Sequence, residues 1–376
     1  MNQKLSAYIK STLFYVTGLF PFVFSIAICL NFNVITAMLL SVISIFFMPE
    51  MNFKKIMPLI ISFMIIGMNS ERSFSASIIC CVLMIISSFF TDKIKNLFTS
   101  PVLSGIMLAG ALTVTVLFTT DYFGIGATGN NVVDMIKSYI SLGFHPNWRG
   151  VLYGTIVLVI MVTFPRKFKK ADQYISSSFI AIVFTLILNL FLNPADMNSA
   201  VNEISTIKSL DISYFLSSYK DFIFDFKTIL IAVALYIIYF YSVASSENNK
   251  KTDLVSCGIA NILSSGLFKV PVPYSFINPS LAYLSRTSAI IIILSTYLLF
   301  DDYILRIPIH SCAVVVIVTA WNNVQWGEIK KQFSSVVSLA CFIVAVITSL
   351  ISNLTIGIII SFTVSALYSK FKTKKE

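Results

Sequence analysis

Apolar residues run through this chain in stretches of roughly 15 to 22 positions, broken by short clusters of charged and turn-forming residues; a helix needs about 20 such residues to cross a ~30 Å hydrocarbon core. The pattern predicts helical spans at 11–31, 33–49, 56–69, 74–91, 100–119, 150–165, 174–193, 227–245, 253–268, 275–284, 287–300, 308–325, 333–350 and 354–370. The run at 275–284 is too short to cross alone, and the runs starting at 56 and 308 begin beside Pro58 and Pro308. The first run follows Lys4 and Lys10 and has no small-residue cleavage site after it, so it reads as an uncleaved first helix.

Composition supports the pattern. Of the 376 residues 57% are hydrophobic and 12% charged, with mean hydropathy +0.86, where a soluble domain of this length carries about 25% charge. The expectation is an all-α polytopic membrane protein with no sizeable soluble domain, its apolar faces solvated by the lipid bilayer.

The charge of +10 raises nucleic acid as a partner, but the basic residues mark span ends rather than an aromatic-interleaved stripe, so none is expected. With the N-terminus in the cytoplasm, 19 of the 27 Lys and Arg residues fall inside and 8 outside. That bias predicts both termini in the cytoplasm and an even number of spans.

Candidate chemistry is sparse. No GxxxxGK[ST], HExxH or GxSxG occurs, so no catalytic residue is expected. No metal site or cofactor is expected either, since Cys29, Cys80, Cys81, Cys257, Cys312 and Cys341 lack metal-type spacing and read as reduced packing residues. His145, His310 and the Asp301-Asp302 pair read as loop or interface residues. All seventeen acids fall at span ends or in loops, which points any ion site to backbone dipoles and neutral side chains. Two breaks suit that role: Met57-Pro58, and Val270-Pro-Val-Pro-Tyr274-Ser275-Phe276 before the short run. A helix that starts inside the bilayer turns unpaired N–H groups and a partial positive charge toward its ligand. Each proline equally well ends a loop on these residues alone.

The block Thr252-Asp253-Leu-Val-Ser-Cys-Gly258-Ile-Ala-Asn261, then Gly266-Leu-Phe268, Pro271-Val-Pro-Tyr274-Ser275-Phe276 and Ser285-Arg286-Thr287, resembles the sulfate permease (SulP) family signature. Gly18-Leu-Phe-Pro21, Met57-Pro58, Ser100-Pro101 through Gly105 and Gly110, and Val201-Asn-Glu203 fit the same family in order. The chain departs from it at Ile277-Asn278, where the family has Ser-Arg, and at Tyr241-Ser242, where it often has a glutamate.

The resemblance implies about fourteen transmembrane segments in a 7+7 inverted repeat. Residues 11–91 and 227–300 would form a core domain, and 98–193 and 301–370 a gate domain. The third and tenth spans would be half-helices meeting at the midplane. It further implies secondary transport of a small anion such as sulfate, bicarbonate, chloride or a short carboxylate. The substrate site would be built from Phe20, Phe22, Pro58, Leu59, Ile60, Tyr241, Ser242, Tyr274, Ser275 and Phe276. Glycines 105 and 110 would permit close helix approach in the gate. The chain stops at Glu376, after the last span, so the family's cytoplasmic STAS domain is expected to be absent or supplied by a separate STAS-type protein. A homodimer and a bacterial inner-membrane location also follow from the resemblance. Two alternatives stay open: a nucleobase transporter of the same fold, and a membrane glycan polymerase or ligase acting through His145, Arg149 and the 194–226 segment.

Overall fold

A computed structural model of the chain describes residues 2–30, 56–67, 69–91, 94, 97, 99–129, 131–192, 222–244, 251–268, 287–293, 295–296, 303 and 306–373. The expected spans at 33–49 and 275–284, most of the 194–226 segment, Asp301-Asp302, and Tyr274, Ser275 and Phe276 lie outside these residues. The elements are α1 (Asn2–Cys29), α2 (Ile56–Gly67), α3 (Ser70–Ser87), α4 (Ser100–Phe123), α5 (Val132–Leu142), α6 (Trp148–Lys167), α7 (Lys169–Asp172), α8 (Ser177–Phe191), α9 (Phe226–Ala244), α10 (Lys251–Phe268), α11 (Ile309–Asn322), α12 (Trp326–Gln332), α13 (Val336–Ile351) and α14 (Leu354–Thr373). No strand occurs among the described residues.

The helix ends follow local chemistry. Thr99 enters α4 in extended conformation and Pro101 sits in its first turn, where a missing N–H costs nothing. Gly124, at φ 66°, closes the same helix in the left-handed region. Asn147 caps α6 by accepting from the Gly150 N–H at 3.2 Å.

The helices differ in length. The 24 residues of α4 and 20 of α6 reach about 36 and 30 Å, enough to cross a bilayer. The 12 residues of α2 reach only about 18 Å. Ile60, Ile61, Phe63, Met64, Ile65 and Ile66 of α2 are each at most 1% exposed, so this short helix is enclosed by protein on all sides. Its uniformly apolar sequence suits that position.

Around α2 stand α4 and α9. Beyond them α3 packs on α9 and α10, while α4 packs on α11, α13 and α14; α1 lies against α11 and α8. Gly105 lets α4 and α13 close up, since a methyl group there would stand 2.7 Å from Ala345 Cβ and 2.8 Å from the Phe342 carbonyl oxygen. Outward faces carry large apolar residues such as Leu152, Val159, Val336 and Ile347, as expected of a lipid-facing surface. The six cysteines are free.

Three helices were not expected, of which the four-residue α7 is a single turn between α6 and α8. The segment 120–149 contains α5, capped by Asn131, whose side chain accepts from the Asp134 N–H at 2.8 Å. Met135 of α5 is buried and Ile136 and Ile140 are exposed, the mark of a helix lying along a surface. The loop between the spans at 308–325 and 333–350 contains α12.

Candidate functional site

The first turns of α4 present Ser100, Leu103, Ser104 and Met107 along one stripe, at i, i+3, i+4 and i+7. The stripe faces a cavity of about 290 Å³ closed by Tyr241 of α9 and by Gln325, Glu328 and Ile329 at and after the start of α12. Its walls thus come from the start of α4, the end of α9 and the start of α12.

A polar network fixes this end of α4. Gln332 donates from Nε2 to Ser100 Oγ at 3.1 Å and to the Glu328 carbonyl at 2.8 Å. The Ser100 hydroxyl in turn donates to Glu328 Oε2 at 3.4 Å, and Lys331 Nζ donates to Glu328 Oε1 at 2.6 Å. From the opposite side, Ser365 of α14 accepts from the Thr99 N–H at 2.9 Å and donates to the Leu97 carbonyl at 2.6 Å. The cap position and the first side chain of α4 are thus held by α14 and α12. Trp321 and Trp326 stack beside the cavity wall with ring centroids 5.8 Å apart.

Of the residues singled out in the sequence, Tyr241 lines the cavity, partly buried. Ser242 beside it is fully buried in α9. Pro58, Leu59 and Ile60 lie in the first turns of α2, with Pro58 and Ile60 buried, and α2 packs against α9. Phe22 is 2% exposed within α1, and Phe20 is on the same helix. Tyr274, Ser275 and Phe276 fall outside the described residues. The sequence reading missed Ser100, Ser104, Gln325 and Glu328. The stripe from Ser100 to Met107 carried a signal, because a helical face with two serines at i and i+4 interrupts an otherwise apolar span.

The histidines resolve differently. His310 is 5% exposed and its Nδ1 donates to the Asp121 carbonyl at 2.6 Å, tying the start of α11 to the end of α4. His145 lies in the turn between α5 and α6, where the Asn147 N–H donates to the Phe123 carbonyl at 2.8 Å. Among the described residues no three His, Cys, Asp or Glu side chains gather as a metal would require.

No family model and no curated protein matches the sequence. Solved structures do match in fold. The transmembrane domain of the cyanobacterial bicarbonate transporter BicA superimposes with TM-score 0.70 at 16% identity, over 97% of this chain and 98% of that one. SLC26A9 superimposes with TM-score 0.69 at 13% identity, over 98% of this chain and 66% of its own. Murine Slc26a9, an anion transporter in its inward-facing state, gives 0.68 at 13% identity, over 97% of this chain and 68% of that one. The chain therefore has the all-α fold of these transmembrane domains, and the resemblance read from the 252–287 block holds at the level of fold along nearly the whole chain.

Proposed function

We propose that this chain is a secondary transporter of a small anion, working by elevator-like alternating access. The observation that carries the reading is the enclosed short helix α2, packed on α9, the helix whose Tyr241 lines the cavity at the start of α4. A helix start held inside the bundle offers unpaired N–H groups in a low-dielectric setting, which suits an anion without any cationic side chain. The likeness in fold to a bicarbonate transporter and an anion transporter supports the same class.

In this proposal residues 11–91 and 227–300 move as a core against 98–193 and 301–370 as a gate, within fourteen segments arranged as a 7+7 inverted repeat. Substrate sits between the starts of the third and tenth spans, near Leu59, Ile60, Ser275 and Phe276, with Phe20, Phe22 and Tyr241 as walls. The cavity lined by Tyr241 and Ser104 is then its route to the cytoplasm. Both termini lie in the cytoplasm, the membrane is a bacterial inner membrane, and a second copy or a STAS-type protein is the partner.

A second reading has one observation in its favour. The cavity's charged lining residue is an acid, Glu328, beside neutral hydroxyls, which suits an uncharged nucleobase as well as an anion. Current on a solid-supported membrane separates the two. Adding bicarbonate, chloride or sulfate should give a saturable transient and uracil none; a response in flux to uracil alone, without current, would replace the anion reading. The likeness in fold to transporters weighs against the polymerase alternative, whose His145–Arg149 stretch lies in the turn and first helical residues of α6.

A further inference from the structure

An acid of the same chain already occupies the donors at the inner mouth. Ser100 opens α4, whose first-turn N–H groups lack helical partners and carry the positive end of the helix dipole. Ser104, one turn further in, is 8% exposed, lines the cavity and has no hydrogen-bond partner among the described residues. A hydroxyl on the cavity wall is completed by what enters the cavity, a ligand or water. Glu328 approaches the Ser100 hydroxyl from α12: Oε2 accepts from it at 3.4 Å while Oε1 accepts from Lys331 at 2.6 Å. Gln332, 4% exposed, holds the Ser100 oxygen in place from behind at 3.1 Å.

A carboxylate is itself a small, planar, monovalent anion. Its contact with Ser100 is long for a charge-assisted bond, and the Glu328 side chain is 39% exposed beside a Lys331 that is 70% exposed. The carboxylate can therefore swing to Lys331 and water at little cost.

We infer that this cavity is a second anion site at the inner mouth, held in this state by the Glu328 carboxylate, which an incoming monovalent anion displaces from Ser100 as it reaches Ser104. The inference rests on the anion-transport reading and narrows it to a substrate class. Repulsion by Glu328 scales with the charge on the entering ion, so a monovalent anion takes the site more readily than a divalent one. The transporter then prefers bicarbonate, chloride or a monocarboxylate to sulfate.

The test measures uptake of radiolabelled bicarbonate, chloride and sulfate in right-side-out and inside-out vesicles, for wild type, Glu328→Gln and Ser104→Ala. Glu328→Gln should lower KM at the inner face by about fivefold for the monovalent ions and by roughly the square of that factor for sulfate, leaving the outer face unchanged. Ser104→Ala should raise the inner KM for all three. A variant that fails to transport is still read by chloride quenching of the Trp321–Trp326 fluorescence in purified protein, where Glu328→Gln should bind more tightly than wild type. Wild type that transports an anion while Glu328→Gln shows the same KM and the same quenching curve overturns the inner site alone. Wild type that takes up no anion overturns the reading beneath it.

Discussion

Gly110 of α4 lies so close to α2 that a methyl group on it would stand 2.7 Å from Ile61 Cγ1 and 3.2 Å from Met57 Cε. Ile61 is fully buried, so the short enclosed helix and the long spanning helix meet without slack. The glycine was expected to bring helices together inside the gate; it instead joins α4 to the half-length helix. If α2 travels with the core, this contact must slide in each transport cycle. Gly110→Ala should slow uptake at saturating substrate several-fold and cost about 1–3 kcal/mol of stability from overpacking. Gly126→Ala, where the added group meets nothing within 4 Å, should leave both unchanged. Uptake rate and thermal unfolding in detergent check the pair.

A second tight contact lies at the other end of α4. A methyl group on Gly150 of α6 would overlap the His310 imidazole, whose Nδ1 is engaged by the Asp121 carbonyl at 2.6 Å. Gly150→Ala should lower the unfolding temperature strongly. His310→Ala should lower it less, through loss of the buried hydrogen bond, worth about 0.5–1.5 kcal/mol. Combining them should recover part of the Gly150→Ala loss, because the colliding ring is gone. Unfolding temperatures of the double-mutant cycle report this coupling directly.

How much of this was legible beforehand follows from which residues carry each feature. The spans at 100–119, 227–245 and 253–268 correspond to α4, α9 and α10 because a run of apolar residues in lipid admits only a helix, and Pro101 and Gly124 mark where α4 starts and ends. The surface helix α5 was missed because its apolar positions, Val132, Val133, Ile136 and Ile140, are too few to read as a span; the cap at Asn131 was the available signal. The cavity was hidden for a different reason. Ser104, Tyr241 and Glu328 come from three distant parts of the chain, and Glu328 looks in sequence like any solvated residue in a lysine-flanked loop. Only packing makes it part of a wall.

Asp225 offers a pH test outside the spans. It caps α9 by accepting from Thr228, and Arg72 Nε donates to its Oδ2 at 3.1 Å, joining α3 to α9. The Thr228 hydroxyl and N–H, and then Arg72, hold its carboxyl down to about 2. A group depressed in the folded state below its ordinary value of about 3.9 contributes fully above that pH. The contribution is lost as pH falls through about 2. Asp225→Ala should therefore unfold at lower temperature than wild type at neutral pH, and the difference should shrink as the solution is acidified through that window. A difference that stays constant would show that the cap and ion pair do not carry the effect.

The turn between α5 and α6 gives a prediction about class. His145→Ala and Arg149→Ala remove side chains beside the Asn147 cap while leaving the cap intact. A transporter should retain substrate uptake within about twofold in both, since loop substitutions away from a site are usually small in effect. A glycan polymerase working through this loop would lose its activity entirely.

The most direct measurement is uptake by purified protein in proteoliposomes, offering bicarbonate, chloride, sulfate, a dicarboxylate and uracil side by side, with Tyr241→Ala as the paired variant. Saturable uptake of an anion by wild type, with affinity or rate reduced in Tyr241→Ala, is the predicted result. Uptake of uracil alone, or of no solute by folded and inserted protein, would contradict anion transport through the Tyr241 cavity.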